Sequence, residues 1–369
     1  MTELTDKDTS LTIKSEQPLN AGAPVALLGQ EFITPAERFF IRSHGNIPVV
    51  DPSGYRLVVD GLVERPLELT LDELQSRFPA YEVTATIQCA GNRRAELQAI
   101  KPVSGEVQWT LDAISTGVWR GLRLGDLLAE AGAQPSARHV LFDGLDTVEK
   151  EGRTFGFGGS IPLDKACQEE VLLAYQLNAQ PLAFEHGFPL RAVVPGYIGA
   201  RSVKWLGHIR LDREPSGNFF QTRAYKVFPP EVGPDEADWT RPEALAALVV
   251  NSVITRPQAG TALPAEQPLV VEGYAQGGED APVEMVELSW DGGQNWQVVD
   301  MVAAPLENSR SPWTWRLWRT TLQLPPGRHQ LIVRATDAAG NRQPSDMAAL
   351  WNFKGYMNNA WHRLEVELY

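Results

Sequence analysis

Cysteine is nearly absent from this sequence: among 369 residues only Cys89 and Cys167 occur. A disulfide framework is therefore excluded, and such sparing use suits a reducing compartment. No Cys-x-x-Cys-His pattern offers a haem attachment, and no Gly-x-Gly-x-x-Gly marks a dinucleotide fold. Long apolar runs are missing too. No stretch reaches the roughly 18 residues of a membrane span. Residues 1–30 lack the basic-then-apolar pattern of a secretion signal and carry no twin arginine, so the expected location is cytoplasmic. Positive charge is in deficit, with 33 Lys and Arg against 46 Asp and Glu, a formal net charge of −13. That argues against nucleic acid as a partner. It also makes any local cluster of basic residues conspicuous.

What is present is globular: 43% hydrophobic and 21% charged residues, in a chain long enough for two cores. Residues 1–33 read as a flexible arm. Thr34, Pro35 and Glu37 then have the spacing of a short helix start, which His44-Gly45 ends. If the chain is extended there, Arg42 and His44 share one side. A helix opens at Thr70, and a β-rich run over 81–87 delivers Cys89. A second helix over 124–131 stops at Gly132. A strand over 139–145 leads to Asp146, and the apolar run 172–175 ends in an Asn178-Ala179 turn. Residues 231–243 are an acidic, proline-containing linker. Beyond it, β-rich segments recur at 248–254, 268–275, 283–290, 296–302, 314–322, 329–336 and 348–353, separated by turn signals. Their spacing predicts an immunoglobulin-like sandwich without its disulfide.

Chemistry concentrates in two stretches. In Cys89-Ala90-Gly91-Asn92-Arg93-Arg94 a thiolate, the ligand of soft metal centres, is followed by small residues that leave room for a bulky group. Two permanently charged guanidiniums come next and suit an oxyanion. The alternative is a buried cysteine serving as a small hydrophobe. From His186 to Leu211 there are four basic residues, Arg191, Arg201, Lys204 and Arg210, and no Asp or Glu. Gly196 and Gly199 would let backbone N–H groups approach an anion. A plain connector between two strands is the competing reading, and it leaves the charge bias unaccounted for. Tyr225 adds a phenol able to donate to a substrate or a metal-bound group.

These motifs resemble the sulfite oxidase family, in order and over about residues 34–369. The resemblance implies an α+β molybdopterin-binding domain over 34–242, followed by an all-β, immunoglobulin-like dimerisation domain over 243–369. It makes Cys89 the protein ligand of one molybdenum per chain. Cofactor contacts would come from Arg42, Ser43, His44, Asp146, His186, Arg191, Arg201, Ser202, Val203 and Lys204. Arg42, Arg94, Trp109, Tyr225 and Lys354 would face the substrate. A homodimer oxidises sulfite by oxygen-atom transfer on this reading. With no haem module, its electrons would go to dioxygen or a separate redox protein. Cys167, in a segment without a cationic cluster, is not expected to bind metal. The sequence departs from the family at Ser43 (usually asparagine), Ala224 (usually aspartate) and Lys354 (often arginine). Lysine keeps the charge but loses the bidentate fork, which weakens sulfite binding. Assimilatory nitrate reductases share the scaffold, so nitrate, another oxyanion or a sulfoxide is the enzymatic alternative. A non-catalytic β-sandwich interaction protein is the alternative from another class.

Overall fold

The computed structural model describes residues 7–279, 281–302, 304 and 311–369. Residues 1–6 of the expected arm lie outside them. The rest of that arm is not loose. Thr12–Glu16 and Leu19–Gly22 form a hairpin whose second strand pairs with Ile41–Arg42. Asn20 and Ala21 are buried, because Asn20 Oδ1 accepts from the Ser43 N–H at 3.0 Å and its Nδ2 bonds Ser15 and Pro18. The helix expected after Thr34 shrinks to a single 3-10 turn, Ala36–Arg38. Thr34 does not cap it; its hydroxyl accepts from the Thr116 N–H instead. The chain beyond is extended, as Arg42 and His44 need in order to share a side.

Two sheets build the first half. One runs Gly158–Pro162, His139–Gly144, Leu206–Asp212, Leu57–Gly61, Leu67–Leu69, and only its Leu206–Asp212/Leu57–Gly61 pair is parallel. The other is antiparallel: Gln180–Pro181, Leu172–Leu177, Ile114–Arg123, Tyr81–Gln88, with Arg191–Val193 also pairing to Leu172–Leu177. Both sheets bury β-branched and leucine side chains, and helix Leu124–Ala131 closes one face through Leu124, Leu127 and Leu128. Gly132 at φ 70° ends that helix. Thr70 and Glu73 complete the reciprocal cap of helix Leu71–Arg77.

The second half is a sandwich. A four-stranded sheet, Asn251–Arg256, Leu269–Gln276, Arg316–Leu322, Asp300–Met301, faces a five-stranded one, Ala262–Leu263, His362–Leu368, Gly327–Asp337, Val283–Ser289, Gln297–Val298. Val271, Leu288, Val333 and Trp318 fill the space between. The strand expected over 348–353 does not form. Asn352 folds that stretch into a turn by accepting from the Tyr356 N–H and donating to Leu350 and Tyr356 carbonyls. Trp351 and Phe353 pack instead against Leu97, Val103 and Phe228 of the first half. The closing strand is His362–Leu368. Among the described residues no helix is long and apolar enough to cross a membrane.

Burial pushes the His362 imidazole down to about 4, and its Nδ1 accepts from the Ile254 N–H at 3.2 Å. The unfolded chain binds this proton near the ordinary histidine value of about 6.5, the folded chain only near 4. Stability is therefore lost as pH falls through that window. His44 and His186 shift in the same direction. Denaturant unfolding should show the loss, with His362 contributing up to about 3 kcal/mol. His362→Gln, which retains an acceptor, should have a shallower slope between pH 6.5 and 4 than the wild type. Equal slopes would rule out this assignment.

Candidate functional site

Strand Tyr81–Gln88 ends where Cys89 begins a tight loop. The Cys89 N–H donates to Ala113 O at 2.9 Å, and the Asn92 N–H returns to Cys89 O at 3.0 Å. Asn92 clamps the loop from both ends of its amide, accepting from the Ala113 N–H and donating to the Tyr274 hydroxyl. Cys89 is a free, buried thiol, and the Gly91 N–H points at its sulfur at 3.4 Å. Arg93 adopts the left-handed conformation, φ 67°. The two neighbouring guanidiniums then part. Arg93 turns away and is fully buried against Glu96, Asn251 Oδ1 and Ala360 O. Only Arg94 stays near the cleft.

That cleft is a partly enclosed cavity of about 60 Å³. Cys89, Arg42, Ser43, His44, Asp146, His186, Arg191, Ser202, Lys204 and Tyr225 all line it. Its basic side, with Arg191 buried and Lys204 half-buried, is short of counter-charge. Lys204 Nζ donates to Glu185 O at 2.8 Å and Ser43 Oγ at 3.2 Å. Burial, reinforced by Arg191, pushes its ammonium well below the usual lysine range. Arg191 reaches the carbonyls of His186 and Ser202, and burial pushes it down to about 9. His186 is held neutral by burial and by the neighbouring cations. Asp146 Oδ1 accepts from the Phe157 N–H at 2.8 Å, while its Oδ2 has no partner among the described residues.

Several sequence-predicted residues stand back from the cleft. Trp109 is fully buried, edge-on to Phe40 at 6.3 Å, and it is Phe40 that lines the cavity. Val203 is buried, its carbonyl accepting from the Ala192 N–H. Arg201 is buried and grips Leu245 O through two nitrogens. Arg210 points to solvent beside Asp212. Gly199 lines the cleft, whereas Gly196 packs on the Glu279 backbone. Arg94 donates to Lys354 O and Val107 O and lies 5.1 Å over the Tyr356 ring, which stacks at 5.2 Å on Tyr225. Lys354 pairs with Glu106. Cys167 is exposed at the end of a short helical turn, Leu163–Ala166.

Residues 44–220 match the oxidoreductase molybdopterin binding domain, and residues 242–369 match the Mo-co oxidoreductase dimerisation domain. The sulfite oxidase of Arabidopsis thaliana is 36% identical over 97% of this chain and 94% of its own length. This chain belongs to the sulfite oxidase family. The mitochondrial sulfite oxidase of Rattus norvegicus is 42% identical over 97% of this chain, which spans 66% of the rat protein's length. Among solved structures, the sulfane dehydrogenase SoxCD from Paracoccus pantotrophus superposes with a TM-score of 0.79 at 28% identity. That match covers 98% of this chain and 87% of that one.

The residues present fit molybdopterin. Among the described residues no cluster of three His, Cys, Asp or Glu side chains could hold a metal unaided, so a metal at Cys89 must bring most of its own ligands. A phosphate would relieve the excess of buried positive charge at Lys204 and Arg191, and a pterin N–H would satisfy Asp146 Oδ2.

Sequence reasoning missed Lys7, Glu185, Glu106 and Tyr356. Lys7 Nζ lies 2.6 Å from His186 Nε2 and 3.3 Å from the Glu185 carboxylate. Nothing local marks Lys7. Glu185 had a signal, since the acid-free stretch begins immediately after it.

An anion favours the charged form of Lys204, which burial and Arg191 push down, so affinity falls as pH rises. Fluorescence titration of cofactor-free protein with molybdopterin should give weaker binding at pH 9 than at pH 6.5. Lys204→Met should weaken it about tenfold to a hundredfold, the worth of one charge-assisted hydrogen bond, and flatten the pH dependence.

Proposed function

We propose that the protein oxidises sulfite to sulfate at a molybdenum ligated by Cys89 and carried by molybdopterin. It acts on this reading as a homodimer and passes two electrons to an external acceptor, dioxygen or a separate redox protein. The observation that carries the reading is the position of Cys89: a free thiol in a cleft whose other walls are Arg42, Tyr225 and the buried cations. The likeness to sulfite oxidases over nearly the whole chain supports the choice of substrate.

Molybdenum bound there supplies two-electron oxygen-atom transfer. Water provides the oxygen that converts sulfite to sulfate, and two protons leave with the two electrons. The chain's residues bind and orient. Arg42 is anchored to Asn20 Oδ1 at 3.2 Å and to Ser43 O, which holds its guanidinium in place to receive the substrate oxygens. Tyr225 meets His44 Nε2 at 2.8 Å. Burial raises the phenol above its usual range and lowers His44 well below its own. The phenol therefore keeps its proton and the imidazole stays neutral. When an anion enters, the same O–H can turn to it. His44 is fixed by Phe157 at 4.5 Å and Phe220 at 4.4 Å, so the hydroxyl moves while the ring stays.

Steady-state oxidation of sulfite with ferricyanide, cytochrome c and oxygen as acceptors tests the reading, with nitrate reduction as the control. Nitrate turnover without sulfite turnover would overturn it. Cys89→Ser should retain the pterin, because the binding cations are untouched, and lose sulfite turnover to background. Cys167→Ala should keep metal content and turnover. Metal loss in the Cys167 variant would mean that the other sulfur is the ligand.

A further inference from the structure

Behind the Tyr225 wall of the cleft, beyond the Tyr356 ring, lies one acid that an anion-binding site does not obviously need. Glu106 pairs through Oε1 with Lys354, and its Oε2 lies 3.9 Å from Arg94 Nη2. The carboxylate is largely buried, with 13% of the side chain exposed, and Lys354 is 21% exposed. Both cations therefore already have an anion, supplied by the loop between helix Arg94–Ile100 and strand Ile114–Arg123. The cluster is continuous with the cleft through two stacked rings: Arg94 lies over Tyr356, and Tyr356 lies on Tyr225. The charge of Glu106 is also felt by Arg42, Tyr225 and Tyr356.

We propose that Glu106 is a specificity-determining residue, an intramolecular counter-anion that competes with the substrate oxyanion for Lys354 and Arg94. An incoming dianion must either displace this carboxylate or bind beside a negative charge, and either costs affinity. Glu106 does not touch the reacting atoms; it acts through the two cations. Lys354 is the mobile partner. Its ammonium sits on a flexible stem, whereas Arg94 is fixed by Lys354 O and Val107 O. Release of Glu106 therefore frees Lys354 to turn toward an anion. The balance also favours oxyanions of lower charge over dianions, since the cluster of Arg94, Lys354 and Glu106 carries one net positive charge rather than two.

This inference rests on the sulfite reading, and the test separates the two. Calorimetric titration of the holoenzyme with sulfate reads oxyanion affinity without turnover. Glu106→Gln, isosteric and neutral, should tighten sulfate about tenfold. It should also lower KM for sulfite more than it changes kcat, and steepen the salt dependence of both constants. In the Lys354→Met background the same substitution should tighten sulfate by a smaller factor, because only its effect through Arg94 remains. Glu106→Ala gives the same readout should the glutamine variant fold poorly. Sulfate affinity and KM both within twofold of wild type in Glu106→Gln would overturn the proposal, as would an equal gain with and without Lys354. If sulfate tightens as expected but no sulfite is oxidised by any variant, the substrate assignment falls and the role of Glu106 stands.

Discussion

The cysteine loop depends on one buried arginine. Arg93 spends its guanidinium on Glu96, Asn251 Oδ1 and Ala360 O, and its own carbonyl accepts from Asn358 Nδ2 at 3.1 Å. Burial opposes ionisation of Glu96, yet Arg93 holds that carboxyl below its usual range. Taking the Arg93 charge out of water costs several kcal/mol, which only near-complete hydrogen bonding offsets. The return is geometric. Partners from helix Arg94–Ile100, strand Asn251–Arg256 and the segment before the last strand converge on the residue four positions after Cys89. The loop that presents the thiol is thereby held by both halves of the chain. Further stitches run beside it: Met357 N–H to Ala90 O at 2.8 Å, and Trp315 N–H to Thr86 Oγ1 at 2.8 Å.

The cleft inverts that logic. Where Arg93 is saturated with partners, the half-buried Lys204 and the buried Arg191 have carbonyls and a hydroxyl as their main acceptors, and desolvation pushes both down in pKa. A folded protein tolerates desolvated cations of this kind when a ligand completes them. Lys7 and Glu185 bring one more charge of each sign to the rim, and their contact with His186 ties the N-terminal segment to the site.

Much of this was legible in the sequence, for a physical reason. Cys89, the glycine at 199 and the cations at 191 and 204 lie in short contiguous stretches, and a contiguous stretch shows its charge bias directly. Strand and helix assignments held where period and caps agreed, as at Thr70–Glu73 and Gly132. They failed where asparagine side chains take over backbone hydrogen bonds. Asn352 turned an apolar run into a loop, and Asn20 and Ser43 turned an apparent arm into part of a sheet. The sense of adjacent residues was also hidden. Arg93 and Arg94 read as a pair, and a single left-handed residue sends them in opposite directions. Glu106, Tyr356 and Lys7 reach the site from distant parts of the chain, which no local pattern records.

The cleft is lined by the first half alone, but the second half reaches its surroundings. Tyr356 and Lys354 come from the segment that closes the sandwich, yet one ring stacks on Tyr225 and the lysine pairs with Glu106. Trp351 and Phe353, which flank that segment, bury themselves against Leu97, Val103 and Phe228 rather than within the sandwich. The same apolar contact that unites the halves therefore sets the position of a cation and a ring beside the cleft. At Gly355, φ 59°, an added Cβ would run into the Arg94 side chain, so the turn can approach that closely only with glycine. A single backbone bend thus couples the packing of one half to the charge balance of the other.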